Sequence, residues 1–341
     1  MMTRVPAQQI TILTLSCLLI AGCSEPSVPM PDTAGEAAVV APVRLLIDTD
    51  ANNELDDQYA LTYVLHNSDV FDLEGITVNR TYNGGDIHAH YEEAARILTL
   101  AQRPNVPLFK GASATYGEIL PDINQPDFDG HEAVDFIIER AHAADERPLV
   151  LAPIGKLTNI ALALAKDPSI AARVKILWLG SNWPAPGEYN LVNDTSSVNP
   201  VVFSEAPFEM ALVRYDMYSG TAAVILNERE VNEKLPGLGP RIDNPITGRH
   251  GGTFDNFGDY AVELFEKMGY ENRALFDMAA LALLKNPAWA DRVEMPAPML
   301  LNGEWVDAQR DRQIVIWENF HTSHILKDFI ETLEAVTDRG Q

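Results

Sequence analysis

Five carboxylates, Asp48, Asp50, Glu54, Asp56 and Asp57, fall within the single stretch that runs from Leu45 to Leu61. Two unit charges about 5 Å apart repel by roughly 3 kcal/mol at an effective dielectric near 20. Such a group coexists only if some members are protonated or a cation sits among them. All-oxygen ligation suits a hard ion, Ca²⁺ or Mg²⁺. A helix N-terminus offers only about 0.3–1 kcal/mol per charge. Capping alone would need one Asp rather than the four present. A bound cation is the stronger account of the cluster.

These residues need a strand and a helix to bring them together. Residues 43–47 have strand composition, and a helical pattern begins near Asp56 and Asp57, with Tyr59, Ala60, Leu61, Val64 and Leu65 on its apolar face. Further strands are expected at 73–78, 106–109, 148–152, 174–179 and 208–213. Helices are expected between them at 57–66, 88–102, 131–143, 157–166 and 198–205. This alternation predicts an α/β fold with a mainly parallel, doubly wound sheet flanked by helices. Helical patterns return at 259–268 and 276–285, followed by a strand at 314–317 and a closing helix at 321–336.

Ligands of such sheets bind beyond the carboxyl ends of the strands, so the polar residues just after each strand are the ones to weigh. The segment 79–86 carries Gly84 and Gly85, which allow tight turns, and Tyr82 or Asn83 would face a ligand there. The turn 152–159 offers a backbone carbonyl to a metal. The long segment 180–199 holds Trp183, Glu188, Tyr189, Asn190 and Asp194, and a loop of that length is more often functional than decorative. Trp183 either meets a ligand there or packs on the surface. The glycine-rich segment 236–258 contains His250 and reads as a mobile lid. Asp277, in a first helical turn, reads by itself as a dipole partner.

The 341 residues with 46% hydrophobic content suffice for one large α/β domain, expected over residues 43–341. A formal charge of −24 repels phosphate backbones and argues against nucleic acid as a partner. Residues 1–22 have the make-up of a secretory signal: Arg4, then a short apolar run, then small residues. Ile20-Ala21-Gly22-Cys23 resembles the cleavage signal of bacterial lipoproteins, which implies lipidation of Cys23 and anchoring to a membrane of the cell envelope. Ser24 favours the periplasmic side of the outer membrane. Residues 23–42, rich in Pro and Ala, read as a flexible tether. Cys17 leaves with the signal, so the mature chain has no intramolecular disulfide.

Four segments in register resemble the nucleoside hydrolases of the inosine–uridine-preferring type. They are Asp48-Thr49-Asp50 with Asp56-Asp57-Gln58-Tyr59-Ala60-Leu61; Pro153-Ile154-Gly155-Lys156-Leu157-Thr158-Asn159-Ile160-Ala161; Glu188-Tyr189-Asn190 with Asp194; and Phe276-Asp277. The resemblance implies hydrolysis of the N-glycosidic bond of a ribonucleoside or related riboside, with common homo-oligomers. It implies a Ca²⁺ site built from Asp50, Asp57, the carbonyl of Ile154, and Asp277. Asp48 would support that shell, while Asp56, Asn83, Glu188 and Asn190 would hold sugar hydroxyls. The chemistry agrees: an oxocarbenium-like state is stabilised by carboxylates and attacked by a metal-bound water. Asp50 is the candidate general base, oriented by Asp48.

Two departures stand out. The turn between the carboxylate pairs, 51–55, is two residues longer than in the family pattern, and a His that protonates the leaving base in some members is Phe276 here. The leaving group would then depend on stacking against Trp183 or Tyr82, on His250 from the lid, or on no acid at all. Two other readings compete. One is a Mg²⁺-dependent phosphatase with Asp48 as nucleophile. The other is a non-catalytic lipoprotein that captures a nucleoside or sugar.

Overall fold

The computed structural model describes residues 41–215 and 217–339. The expected signal, Cys23 and nearly all of the expected tether lie outside the described residues. An eight-stranded sheet forms the frame. Its first six strands in the chain are β1 (Val43–Thr49), β2 (Phe71–Val78), β3 (Leu108–Lys110), β4 (Leu149–Pro153), β5 (Val174–Ser181) and β6 (Phe208–Leu212). The strand Gln313–Glu318 joins β6 in parallel, and Asp291–Pro296 closes that edge antiparallel to it. The parallel, doubly wound sheet expected from the alternation is present.

Successive side chains of a strand point to opposite faces, and here both faces are covered. Leu45 and Ile47 of β1 enter one apolar cluster while Leu46 enters the other. Val150 and Ala152 of β4 join the first, and Leu149 and Leu151 the second. Strands buried on both faces read as unbroken apolar runs, which is why they stand out in the sequence.

Some boundaries moved. The segment 180–199 is less of a loop than expected, because helices Tyr189–Asn193 and Thr195–Val202 occupy part of it. The second starts before the expected residue 198, since the Asp194 side chain accepts from Ser196 N at its N-terminus. The strand Asp291–Pro296 had no signature: its residues are almost all exposed, so no apolar run marks it. The segment 236–258 is tied down rather than open, with a two-strand pairing of Ile246–Thr247 and Thr253–Phe254 and a bond of 2.8 Å from Gly237 N to Asp259 Oδ1.

Candidate active site

From β1 the chain builds outward through β2 and β3 on one side, then through β4, β5 and β6 on the other. The carboxyl ends of β1 and β4 therefore flank the point where strand order reverses, the place where open α/β sheets bind ligands. Asp48 lies opposite Pro153 in the β1–β4 ladder, and Ile154 N donates to the Asp48 carbonyl at 2.8 Å. That register brings Asp50 and Ile154 to the same rim. Helix α1 (Asp56–His66) starts there and packs along the helix Phe276–Lys285. Its first turn thereby meets Asp277.

The result is an open cavity lined by Asp50, Asp56, Asp57, Ile154 and Asp277, with Glu188 and Asn190 on the β5 side. One carboxylate oxygen from each of Asp56, Asp57 and Asp277 lies within 4.8 Å of the others, and all three residues are buried. Thr49 Oγ1 donates to Asp57, and Thr81 Oγ1 donates to Asp50 Oδ2 at 2.5 Å. Asn190 Nδ2 donates to the carbonyls of Ile154 and Leu179, at 2.9 and 3.0 Å, while its Oδ1 is buried with no partner. Glu188 Oε2 caps the following helix by accepting from Leu191 N at 2.8 Å.

The electrostatics follow from this crowding. Burial is the first cause in every case, and it disfavours the charged form. It raises Asp50 to about 6, with the Asp48 charge adding to it, and raises Asp56 and Glu188 each to about 7. Asp57 and Asp277 are pushed well above the carboxylate range by burial and then by neighbouring carboxylates. Such a set accommodates either protons or a cation, and its all-oxygen donors fit a hard divalent ion.

The other expected residues fall outside the cavity wall. Asp48 is fully buried behind the rim, with Thr77 Oγ1 and Asn159 Nδ2 on Oδ1 at 2.7 Å and Asn79 Nδ2 on Oδ2 at 2.9 Å. It is a brace for the β1 end rather than a surface group. Asn83 is exposed, and its backbone N donates to Tyr189 Oη at 3.0 Å. Trp183 packs against the second apolar cluster, beneath the Arg214 guanidinium. His250 is exposed and accepts from Arg249 Nε at 3.1 Å. Loop length and glycine content drew attention to these three, but none of them lines the cavity.

Two lining residues escaped the sequence reading. Arg273 donates through Nη2 to Asp56 Oδ1 at 2.9 Å and pairs with Glu54 of the longer turn. Burial pulls it down to about 10, so it stays charged at neutral pH. Tyr215 stands just past β6 and meets the Phe276 ring edge-on, with centroids 6.0 Å apart. The rule of inspecting residues after each strand would have found Tyr215, whereas Arg273 carries no local signal.

The family model described as inosine-uridine preferring nucleoside hydrolase matches residues 45–330. The pyrimidine-specific ribonucleoside hydrolase RihA of Shewanella sp. (strain MR-4) is 25% identical over 269 residues, covering 72% of this chain and 79% of that protein. The inosine-uridine preferring nucleoside hydrolase of Leishmania major is 25% identical over 289 residues, covering 77% of this chain and 85% of its own length. Among solved structures, the plant nucleoside hydrolase PpNRh1 is similar in fold, with a TM-score of 0.66 over 86% of this chain and 99% of its own at 17% identity.

Proposed function

The chain belongs to the inosine-uridine preferring nucleoside hydrolase family and is an N-glycosyl hydrolase, and from that premise we propose that it hydrolyses ribonucleosides in a calcium-dependent reaction, releasing ribose and base. The observation that carries this reading is the convergence of Asp56, Asp57 and Asp277 with Asp50 and Ile154 at the sheet's switch point. Asp50, Asp57, the Ile154 carbonyl and Asp277 would hold the ion, a donor set of oxygens only. When bound, a divalent ion offsets the carboxylate charges and acts as a Lewis acid toward a water and the sugar diol.

The side chains divide the remaining work. Asp50 takes the proton of the attacking water, from a carboxylate held at the cavity wall by the Thr81 hydroxyl. Asp48 fixes the end of β1, through three donors, so that Asp50 faces the cavity. Asn190 has spent its amide hydrogens on carbonyls, which leaves Oδ1 to accept from a sugar hydroxyl. Glu188 and Asp56 supply further contacts to the diol. A reaction through Asp48 as phosphate nucleophile does not suit this arrangement, because both its oxygens are already engaged away from the cavity.

Reducing-sugar release from purine and pyrimidine ribonucleosides tests the reading. Turnover is expected in millimolar calcium, abolished by chelator, and much slower for 2′-deoxyribonucleosides. Tight binding of the same ribosides with no sugar released would favour the capture reading instead.

A further inference from the structure

Cleavage of an N-glycoside breaks the bond from C1′ to nitrogen, and the electron pair leaves with the base. The water oxygen bonds to C1′, its proton passes to Asp50 and on to solvent, and the departed base takes a proton from solvent. A site for this reaction needs something to meet the negative charge that builds on the leaving nitrogen heterocycle. No histidine is among the described residues that line the cavity, and Arg273 is the one cation there.

The two departures from the family pattern meet at this residue. Glu54, from the longer turn, grips the guanidinium. Phe276, in the histidine's place, lies beneath it, with the Arg273 guanidinium carbon 5.1 Å from the ring centroid. Tyr215 extends the aromatic wall by its edge-on contact with Phe276. Arg273 Nε is buried with no partner, so at least one donor is uncommitted. A planar cation stacked on an aromatic surface, with a free N–H, is the chemistry that recognises a heterocycle carrying carbonyl oxygens or ring nitrogens.

We propose that Arg273, positioned by Glu54, is the leaving-group residue of this enzyme: it binds the departing nucleobase over the Phe276–Tyr215 wall and stabilises its anion by charge rather than by donating a proton. Guanidinium is too weak an acid to give up a proton here, but its charge-assisted hydrogen bonds are about twice as strong as neutral ones. The proposal rests on the hydrolase reading above.

Kinetics of wild type, Arg273→Met and Arg273→Lys on uridine, inosine and 4-nitrophenyl β-riboside would test it. The last carries a leaving group stable as an anion without help. Arg273→Met is expected to lower kcat on the nucleosides by about 10²-fold, as for loss of one preorganised donor. Its loss on the nitrophenyl riboside should be at least tenfold smaller, with Arg273→Lys intermediate on nucleosides. Glu54→Gln, which keeps the arginine, should lower nucleoside kcat more than it raises KM, with rescue by Glu54→Asp. It also serves if Arg273→Met does not fold. Equal losses on all three substrates, or a loss that tracks calcium affinity alone, would overturn the proposal in favour of a charge-balancing role. A wild type that cleaves both nucleosides, with Arg273→Met losing nothing on either, would overturn the leaving-group role while leaving the hydrolase reading intact. Failure on every riboside would overturn that reading and the proposal with it.

Discussion

Asp50 and Asp277 face one cavity from opposite elements, and their chemistry separates them. Asp50 accepts from Thr81 at 2.5 Å and sits where a water's proton would go, so Asp50→Asn should lower kcat by about 10²–10⁴-fold with a far smaller change in KM. Asp277, within 4.8 Å of Asp56 and Asp57, should matter first to the ion. Asp277→Asn is expected to weaken calcium binding by at least tenfold, visible by calorimetry, with activity recovered in part at high calcium. Near-full turnover by Asp50→Asn would remove it as base, and unchanged calcium affinity would remove Asp277 as ligand. The carboxylates were legible because four of the five crowd the end of one strand and the start of one helix. Arg273 was not, because it meets Asp56 from 217 positions away and nothing in its neighbours marks it. His250, Asn83 and Trp183 were noticed for their loops, yet loop length and glycine content do not say which way a side chain turns, and none of the three lines the cavity.

At the scale of elements, the buried strands were readable because covering both faces of a sheet demands continuous apolar runs. The edge strand Asp291–Pro296 was not, since one exposed face carries no such demand. The longer turn 51–55 also gains its place from another element. Asn52 Nδ2 donates to the Gly84 carbonyl at 2.6 Å, and Asn52 N donates to His90 Nδ1 at 3.1 Å. Gly84 sits at φ +84°, and a Cβ there would lie 2.6 Å from the Asn52 backbone carbonyl. Gly84→Ala should therefore cost roughly 2–4 kcal/mol, combining left-handed strain with overlap, and should weaken calcium binding by shifting Asp50 and Glu54. Gly187 has a similar φ of +86° with nothing within 4 Å. Gly187→Ala should cost only about 1–2 kcal/mol. Urea unfolding of both variants checks this, and equal losses would mean the turn is not anchored on Gly84.

For the whole molecule, the buried carboxylates make stability depend on pH in a direction opposite to the usual acid lability. Asp48 has a folded value near 6 against an ordinary 3.8, so its neutral form is favoured by the fold. Its contribution is complete below about 4 and disappears as pH rises through 6, a loss of about 3 kcal/mol for a shift of that size. Asp50, at about 6, and Asp56 and Glu188, at about 7, act in the same sense. Without divalent ions the protein should therefore melt at a lower temperature at pH 7.5 than at pH 5. Calcium binds the ionised carboxylates, so its stabilisation grows with pH, reaching about 2.7 kcal/mol at a hundredfold excess over Kd. In millimolar calcium the gap between the two melting temperatures should narrow. The formal charge of −24 also favours unfolding as pH rises, through self-repulsion. Surface repulsion is screened within about 5 Å at 0.5 M monovalent salt, whereas buried pairs are screened far less. Calorimetric melts at pH 5 and 7.5 in 0.5 M KCl, with chelator and then with calcium, isolate the buried group. A melting temperature independent of pH in chelator, and unmoved by calcium, would mean that the carboxylates at the end of β1 neither store protons nor hold an ion.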